Sequence, residues 1–395
     1  MSARRVTCLC AMLAMVGPLS SSLYTPALPE LAVELETSIA GVQMTVTAFF
    51  LGLASSQLFC GPVSDGIGRK PVLLGFFLLY VIATTFSLFA PQIELLIFAR
   101  FLQGVGAAAG IALSRAIVRD LYKGPEQLAI QATVGLALST GPAVAPFIGG
   151  VVIEYWHWHA LFHLMLALGL VTLACIWGLL AETAPADRPP TSLNGLLQSY
   201  AILMSSKGFV LPAIILGGVN GVVYAQSALL SLAVIGQLHY SPRVFGLSMV
   251  LQTSFFFIGS AIVRSIAKTV PAERILACGM ALVLLANLIY FIAYFLTGPS
   301  FIAVMSPIAI NGLAIGTTTP SLLSIAMAPY PERAGAGAAV MGFMQIGCGV
   351  LGGFAAMLFS DPWQALVVVS CAMGASAVGS WLMWTRIPPV DSKRL

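Results

Sequence analysis

The sequence predicts an all-α membrane protein: twelve transmembrane helices in two six-helix bundles, with both termini cytoplasmic. Three observations predict it. First, 59% of the residues are apolar and 8% charged, and the mean hydropathy is +0.97, a composition suited to lipid as the main solvent. Second, twelve apolar segments recur, at about 6–28, 41–61, 72–90, 93–115, 128–152, 161–181, 210–237, 244–267, 275–296, 300–328, 335–359 and 363–385. Each reaches the roughly 20 residues that cross a 30 Å hydrocarbon core at about 1.5 Å per residue. Third, 16 of the 18 Lys and Arg residues fall in alternate gaps between those segments, the mark of cytoplasmic loops.

Taken in order, Arg4 and Arg5 precede the first segment, and Arg69 and Lys70 follow the second. Arg115, Arg119 and Lys123 follow the fourth; Arg188 and Lys207 lie after the sixth. Arg264, Lys268 and Arg274 follow the eighth, Arg333 the tenth, and Arg386, Lys393 and Arg394 the twelfth. The opposite gaps hold Arg243 alone, and Arg100 lies inside a helix. Residues 1–28 have the look of a secretory leader, but no small-residue cleavage site closes the apolar run, so a retained first helix is expected. The net charge of +4 is spread over the loops and makes no nucleic-acid patch. The seven cysteines lack paired spacing and read as small apolar residues, not as a disulfide or metal framework.

The longest polar gap, 182–209, divides the helices six and six. It sets the expected domains at 1–185 and 208–395, joined by a cytoplasmic linker over 186–207. Traces of duplication link the halves. Gln103-Gly104-Val105-Gly106 in the fourth helix resembles Asn311-Gly312-Leu313-Ala314 in the tenth, and Phe147-Ile148-Gly149-Gly150 resembles Val350-Leu351-Gly352-Gly353. A six-plus-six parallel repeat is one transporter plan, with substrate held between the halves near the bilayer midplane.

Motifs then narrow the reading. After the second helix the chain runs Gly61-Pro62-Val63-Ser64-Asp65-Gly66-Ile67-Gly68-Arg69-Lys70. This resembles the G-x-x-x-D-x-x-G-R-[RK] signature of the major facilitator superfamily. Arg100-Phe101-Leu102-Gln103-Gly104-Val105-Gly106 is similar to that superfamily's helix-four element, and Gly141-Pro142 with Pro146 to its exporter element. Tyr24-Thr25-Pro26 and Arg115 to Asp120 resemble the Bcr/CflA branch of drug-efflux transporters. The resemblance implies a major facilitator fold in a bacterial cytoplasmic (inner) membrane, export by alternating access, and a proton as the opposing ion. It also implies that Asp65, with Gly61, Gly68 and Arg69, gates the cytoplasmic side by meeting the N-terminus of the eleventh helix near Gly335, where the helix dipole favours negative charge. Arg69 and Lys70 serve equally well as inside-positive residues. The Arg usual after the acid is Gly66 here, which interrupts part of that charge relay.

Arg100 is the leading candidate for substrate binding, with Gln103, Ser22 and Tyr24 beside it. It lies about 9 Å along its helix from Glu94. A guanidinium at that depth is costly unless paired or facing a polar cavity, so it marks function by default; a structural Arg bonded to carbonyls and to Gln103 is the alternative. The resemblance implies an Asp in helix one as its partner, and Ser22 stands there instead. A bound anion would supply the missing charge through a bidentate bond. Gly104, Gly106, Gly141, Pro142 and Pro146 are expected to pack and bend helices. Glu154, His157, His159 and His163 resemble metal ligands superficially; with Trp158 they read better as an interfacial aromatic belt with polar tips, and no metal is expected. Gln43, Asn220, Tyr224, Gln226, Asn311 and Gln345 are among the polar residues that either line a cavity or bond between helices.

The function expected is efflux of small organic molecules, with export of an endogenous anion such as a carboxylate siderophore or organic acid as the alternative. A transporter-like sensor or scaffold is a remote third reading, lacking any output domain. An enzyme is not expected, since no HExxH or nucleophile elbow appears. No cofactor is implied. The expected partners are a small-molecule substrate, a proton and the lipid bilayer, with no nucleic acid, and the chain is expected to act as a monomer.

Overall fold

The computed structural model describes residues 3–184 and 193–387. Among them every regular element is helical, and twelve helices are long and apolar enough to cross a membrane. In order the spans are Ala3–Glu34, Ile39–Ile67, Arg69–Leu88, Ile93–Leu121, Gly124–Tyr155 and His159–Leu179, then Lys207–Gln237, Pro242–Ile266, Ala272–Leu296, Phe301–Met327, Gly335–Ala356 and Pro362–Trp384. Each corresponds to one predicted segment. Hydroxyl and carboxylate caps start several of them: Ser38 accepts from the Gly41 N–H at 3.1 Å, Ser300 from Ala303 at 3.2 Å and Asp361 from Trp363 at 3.0 Å.

Two local departures from the sequence reading have physical causes. The first span is interrupted by a 3-10 turn over Thr25–Ala27, because Pro26 offers no N–H to the helix. The predicted linker contains a helix, Leu193–Ser205, whose Leu196 and Leu203 are buried while Leu197 and Met204 are exposed. That spacing of seven puts each pair on one face. Residues 186–192 of the linker, including Arg188, and residues 388–395, including Lys393 and Arg394, lie outside the described residues.

The surface is apolar and part of the interior is polar, as lipid as solvent requires. Leu296, Ile302, Leu358 and Trp177 are largely exposed. Arg69, Arg100, Gln103, Thr84 and Gln226 are buried. Polar groups facing hydrocarbon would lose their hydrogen bonds, so they turn inward to find partners.

Chain contacts divide the molecule into two compact units: Met1–Leu196 with Ser241–Gly246, and Leu197–Tyr240 with Leu247–Leu395. Inside each unit the same glycine device recurs. A methyl group at Gly104 would collide with the Phe49 carbonyl oxygen, and one at Gly312 with that of Gln252. Gly52 is held likewise against Phe101, and Gly259 against Leu313. Spans two and four therefore touch backbone to backbone, as do spans eight and ten, which only small residues permit.

Candidate functional site: a buried arginine in the first unit

Arg100 is fully buried on the fourth span. Its guanidinium carbon lies 4.4 Å from the ring centroid of Tyr24 and 4.4 Å from that of Phe49. Desolvated contacts of this kind contribute on the order of 2 kcal/mol each. Nη1 donates to Oε1 of Gln103, and Nε2 of Gln103 donates to Oγ1 of Thr84 at 2.8 Å. Thr84 in turn donates to the Tyr80 carbonyl at 2.6 Å. The Tyr24 hydroxyl bonds Thr45 at 2.9 Å, and the Tyr80 hydroxyl bonds Ser20 at 2.6 Å. Four spans thus converge on one cation, yet its Nε and Nη2 have no hydrogen-bond partner.

The structure brings Arg100, Gln103 and Tyr24 together, but not Ser22. Ser22 is half-buried, its carbonyl accepts from Thr25 Oγ1 at 3.0 Å, and no hydrogen bond joins it to Arg100. The serine that reaches this cluster is Ser20, a neighbour of the position suggested by family pattern. Phe49, Thr84 and Tyr80 went unnoticed in the sequence because an aromatic ring or a threonine in an apolar run carries no signal of its own. Charge and family pattern made Arg100 visible.

A second network holds the turn between spans two and three. Gly68, at φ +109°, takes a backbone conformation that side chains rarely adopt, and so lets the third span start at once. Arg69, fully buried, pairs through Nη2 with Asp65 at 2.6 Å and through Nε with Asp120 at 2.9 Å, while Nη1 donates to Ser64 at 2.5 Å. Glu182 accepts from the N–H groups of Arg69 at 2.8 Å and Lys70 at 3.1 Å, capping the third span. Burial disfavours the charged form of Glu182, but its four backbone N–H bonds outweigh that and hold its carboxyl below the usual range. Asp120 and Glu182, neither of them assigned a role from sequence, complete the network across 51 and 113 residues of chain. Of the glycines read as part of this motif, Gly61 has open space at its Cβ position.

The packing residues divide as well. Gly104 and Gly106 each meet backbone of a neighbouring span, whereas a methyl at Gly141 would make ordinary contacts with Pro18 and Leu19 at 3.5 and 3.6 Å. The fifth span stays helical through Pro142 and Pro146. The aromatic belt suits Tyr155 and Trp156, which are exposed, but not Trp158. Trp158 is buried, its indole N–H donating to Glu34 at 2.7 Å and its ring stacking on His159 at 3.7 Å. Among the described residues no group of three or more His, Cys, Asp or Glu could hold a metal ion.

The second unit has neutral polar clusters. Asn220 Oδ1 accepts from Thr319 at 3.1 Å and from Gln345 at 3.5 Å, and Gln345 also reaches the Tyr224 hydroxyl at 3.5 Å. Gln226 donates to Ser370 at 2.5 Å beside a cavity of about 10 Å³ that Asn287, Tyr290 and Asn311 also line.

Known proteins agree with this architecture. The family model for the Major Facilitator Superfamily matches residues 10–350. Multidrug resistance protein D of Escherichia coli (strain K12) is 31% identical over 380 residues, 94% of this chain and 93% of that protein. A bicyclomycin resistance protein homolog of Haemophilus influenzae is 29% identical over 385 residues, 94% of this chain and 93% of that one. Among solved structures, a D-xylose-proton symporter superposes with a TM-score of 0.79 at 12% identity, covering 100% of both chains. The chain belongs to the major facilitator superfamily, and within it to the Bcr/CflA branch. It is a multi-pass inner-membrane transporter and not an enzyme.

Proposed function

We propose that this transporter exports small organic molecules, drugs among them, by alternating access between its two six-helix halves. The carrying observation is Arg100: a fully buried cation on the fourth span, surrounded by aromatic and hydroxyl groups and with donors to spare. Such a group is retained in a membrane interior for a task. Substrate would enter from the cytoplasm, engage Arg100 with Gln103 and Tyr24 at its flanks, and leave when the halves rock. The Asp65–Arg69–Asp120 network would hold the gate on the cytoplasmic side. The relatives named for drug resistance support efflux as the general activity.

The experiment is expression in a bacterial host stripped of its own efflux pumps, with inhibitory concentrations read for bicyclomycin, chloramphenicol and ethidium. The wild-type chain is expected to raise at least one of them several-fold, and R100A to raise none. Equal protection from R100A would remove Arg100 from the mechanism.

A second reading, export of an endogenous carboxylate, is favoured by one observation: the partner expected for Arg100 in helix one is replaced by Ser22, which does not reach it. Metabolite profiling of cells and medium, parent strain against deletion strain, tests it. A carboxylate retained in the deletion strain and missing from its medium is the expected result.

A further inference from the structure

We propose that this chain moves a carboxylate anion electrogenically, with the Nε–Nη2 edge of Arg100 as the anion site and the membrane potential, not a proton, as the driving force. The inference rests on the exporter reading above and specifies its substrate class and coupling.

Nε and Nη2 are adjacent nitrogens on one edge of the guanidinium, and both are unpartnered while Nη1 is occupied by Gln103. Two parallel N–H bonds on one edge match the two oxygens of a carboxylate, the bidentate pairing that lysine cannot make. The rings of Tyr24 and Phe49 interact with the guanidinium's face, whereas N–H bonds radiate in its plane. Ring contact therefore leaves that donor edge unsatisfied. An unpaired buried charge is among the costliest features a fold can carry, and a bound anion removes the cost.

A proton carried across a membrane needs a titratable group inside it. Every Asp and Glu within the twelve spans lies no further than four residues from a span end, as Glu30, Asp65, Glu94, Asp120, Glu126, Glu154 and Glu273 illustrate. The histidines of the spans, His159 and His163, are likewise confined to the first five residues of the sixth. Among the described residues the span interiors thus offer no carboxylate or imidazole to take the proton. Phenols and thiols ordinarily titrate well above neutrality, and guanidinium does not release its proton.

What remains is one fixed positive charge and one mobile negative charge. The loaded site is neutral, and the empty site is positive. The inside-negative potential of a bacterial cell favours resetting the empty, positive site towards the cytoplasm, so each turnover carries one negative charge outwards. One charge moved through 100 mV supports a concentration ratio of about 50-fold. This replaces the proton that the family resemblance implies.

The test uses the full chain in proteoliposomes, with p-aminohippurate as the carboxylate probe and chloramphenicol as a neutral one. A potassium gradient with valinomycin sets a potential without a pH difference; a buffer jump with the potential clamped sets the reverse. The expected result is p-aminohippurate accumulation on the positive side, tens of times above empty liposomes, under potential alone and none under a pH difference alone. R100K, checked for wild-type thermal stability, should lose it. Accumulation driven by the pH difference, or no movement of p-aminohippurate in either condition, overturns the inference. The wild-type comparison stands even if R100K fails to fold. Chloramphenicol flux without p-aminohippurate flux would leave the exporter reading intact and reject this one; absence of both would reject both.

Discussion

The two units share a scaffold and differ in chemistry. Gly104 against Phe49 in the first unit has its counterpart in Gly312 against Gln252 in the second, so the same backbone-to-backbone crossing is built twice. The charge is not repeated. Three residues before Gln103 stands Arg100; three residues before Asn311 stands Ile308, an apolar and fully buried residue. The first unit's centre is a cation ringed by aromatic and hydroxyl groups. Those of the second are the amides of Asn220, Gln226 and Gln345 bonded to hydroxyls. Packing constrains both halves alike, whereas a membrane tolerates a buried charge only where something will neutralise it. An asymmetric charge on a symmetric frame therefore supports the proposal that Arg100, in the first unit, is the substrate site.

The largest effect should come from forcing the missing symmetry. I308R places a guanidinium at a fully buried apolar position, and an unpaired buried charge costs several kcal/mol. Loss of the monodisperse peak in size-exclusion chromatography is the expected outcome; a well-folded I308R protein would mean that the second unit has a latent polar centre. The reciprocal change, R100Q, should fold, since a glutamine amide can still bond Gln103. Its transport rate should fall about 100-fold, the scale of a lost charge-assisted bidentate bond of roughly 3 kcal/mol. Q226L in the second unit removes one neutral bond to Ser370, which keeps its bond to the Leu366 carbonyl at 2.5 Å. A loss of only about 1 kcal/mol in stability, with transport nearly intact, is expected there.

The shared frame can be probed by matched substitutions. G104V and G312V each drive a branched side chain into a backbone carbonyl of the neighbouring span, at about 1–3 kcal/mol or more apiece. Similar drops in thermal stability would show the two crossings to be energetically equivalent. A drop for G104V alone would break the comparison.

These contrasts also explain what was legible in the sequence. All twelve spans were, because each must carry a long apolar run, and hydropathy registers that directly. Arg100 was, because a lone cation in such a run is costly enough to stand out. The groups that complete its site were not: Phe49, Thr84 and Tyr80 are ordinary residues for a span, and only the fold decides which face they take. Trp158 was misread for a related reason. An interfacial tryptophan is commonly a belt residue, whereas this one is buried and bonds Glu34, 124 residues away. The helix over Leu193–Ser205 went unseen because the gap's prolines and charges dominate its composition, while the apolar pairs at a spacing of seven are short and quiet.

The smallest expected effect concerns how the two units begin corresponding spans. The third span starts at Arg69 with its first N–H groups accepted by Glu182, whereas the ninth starts after Pro271 with no side-chain cap. Glu182 is solvent-exposed, so its contribution is screened and modest. Its carboxyl is nevertheless held below the usual range, by backbone bonds that outweigh the cost of burial. A group whose folded value is depressed stabilises the fold above the ordinary carboxyl range, and that stabilisation fades as pH falls through its lowered value. E182Q should therefore lower Tm by about 1–2 °C at pH 7, with the difference from wild type closing as the pH is brought below about 4. A gap that persisted unchanged in acid would mean that the side chain acts through its shape, and that the third span's start is no better anchored by charge than the ninth's.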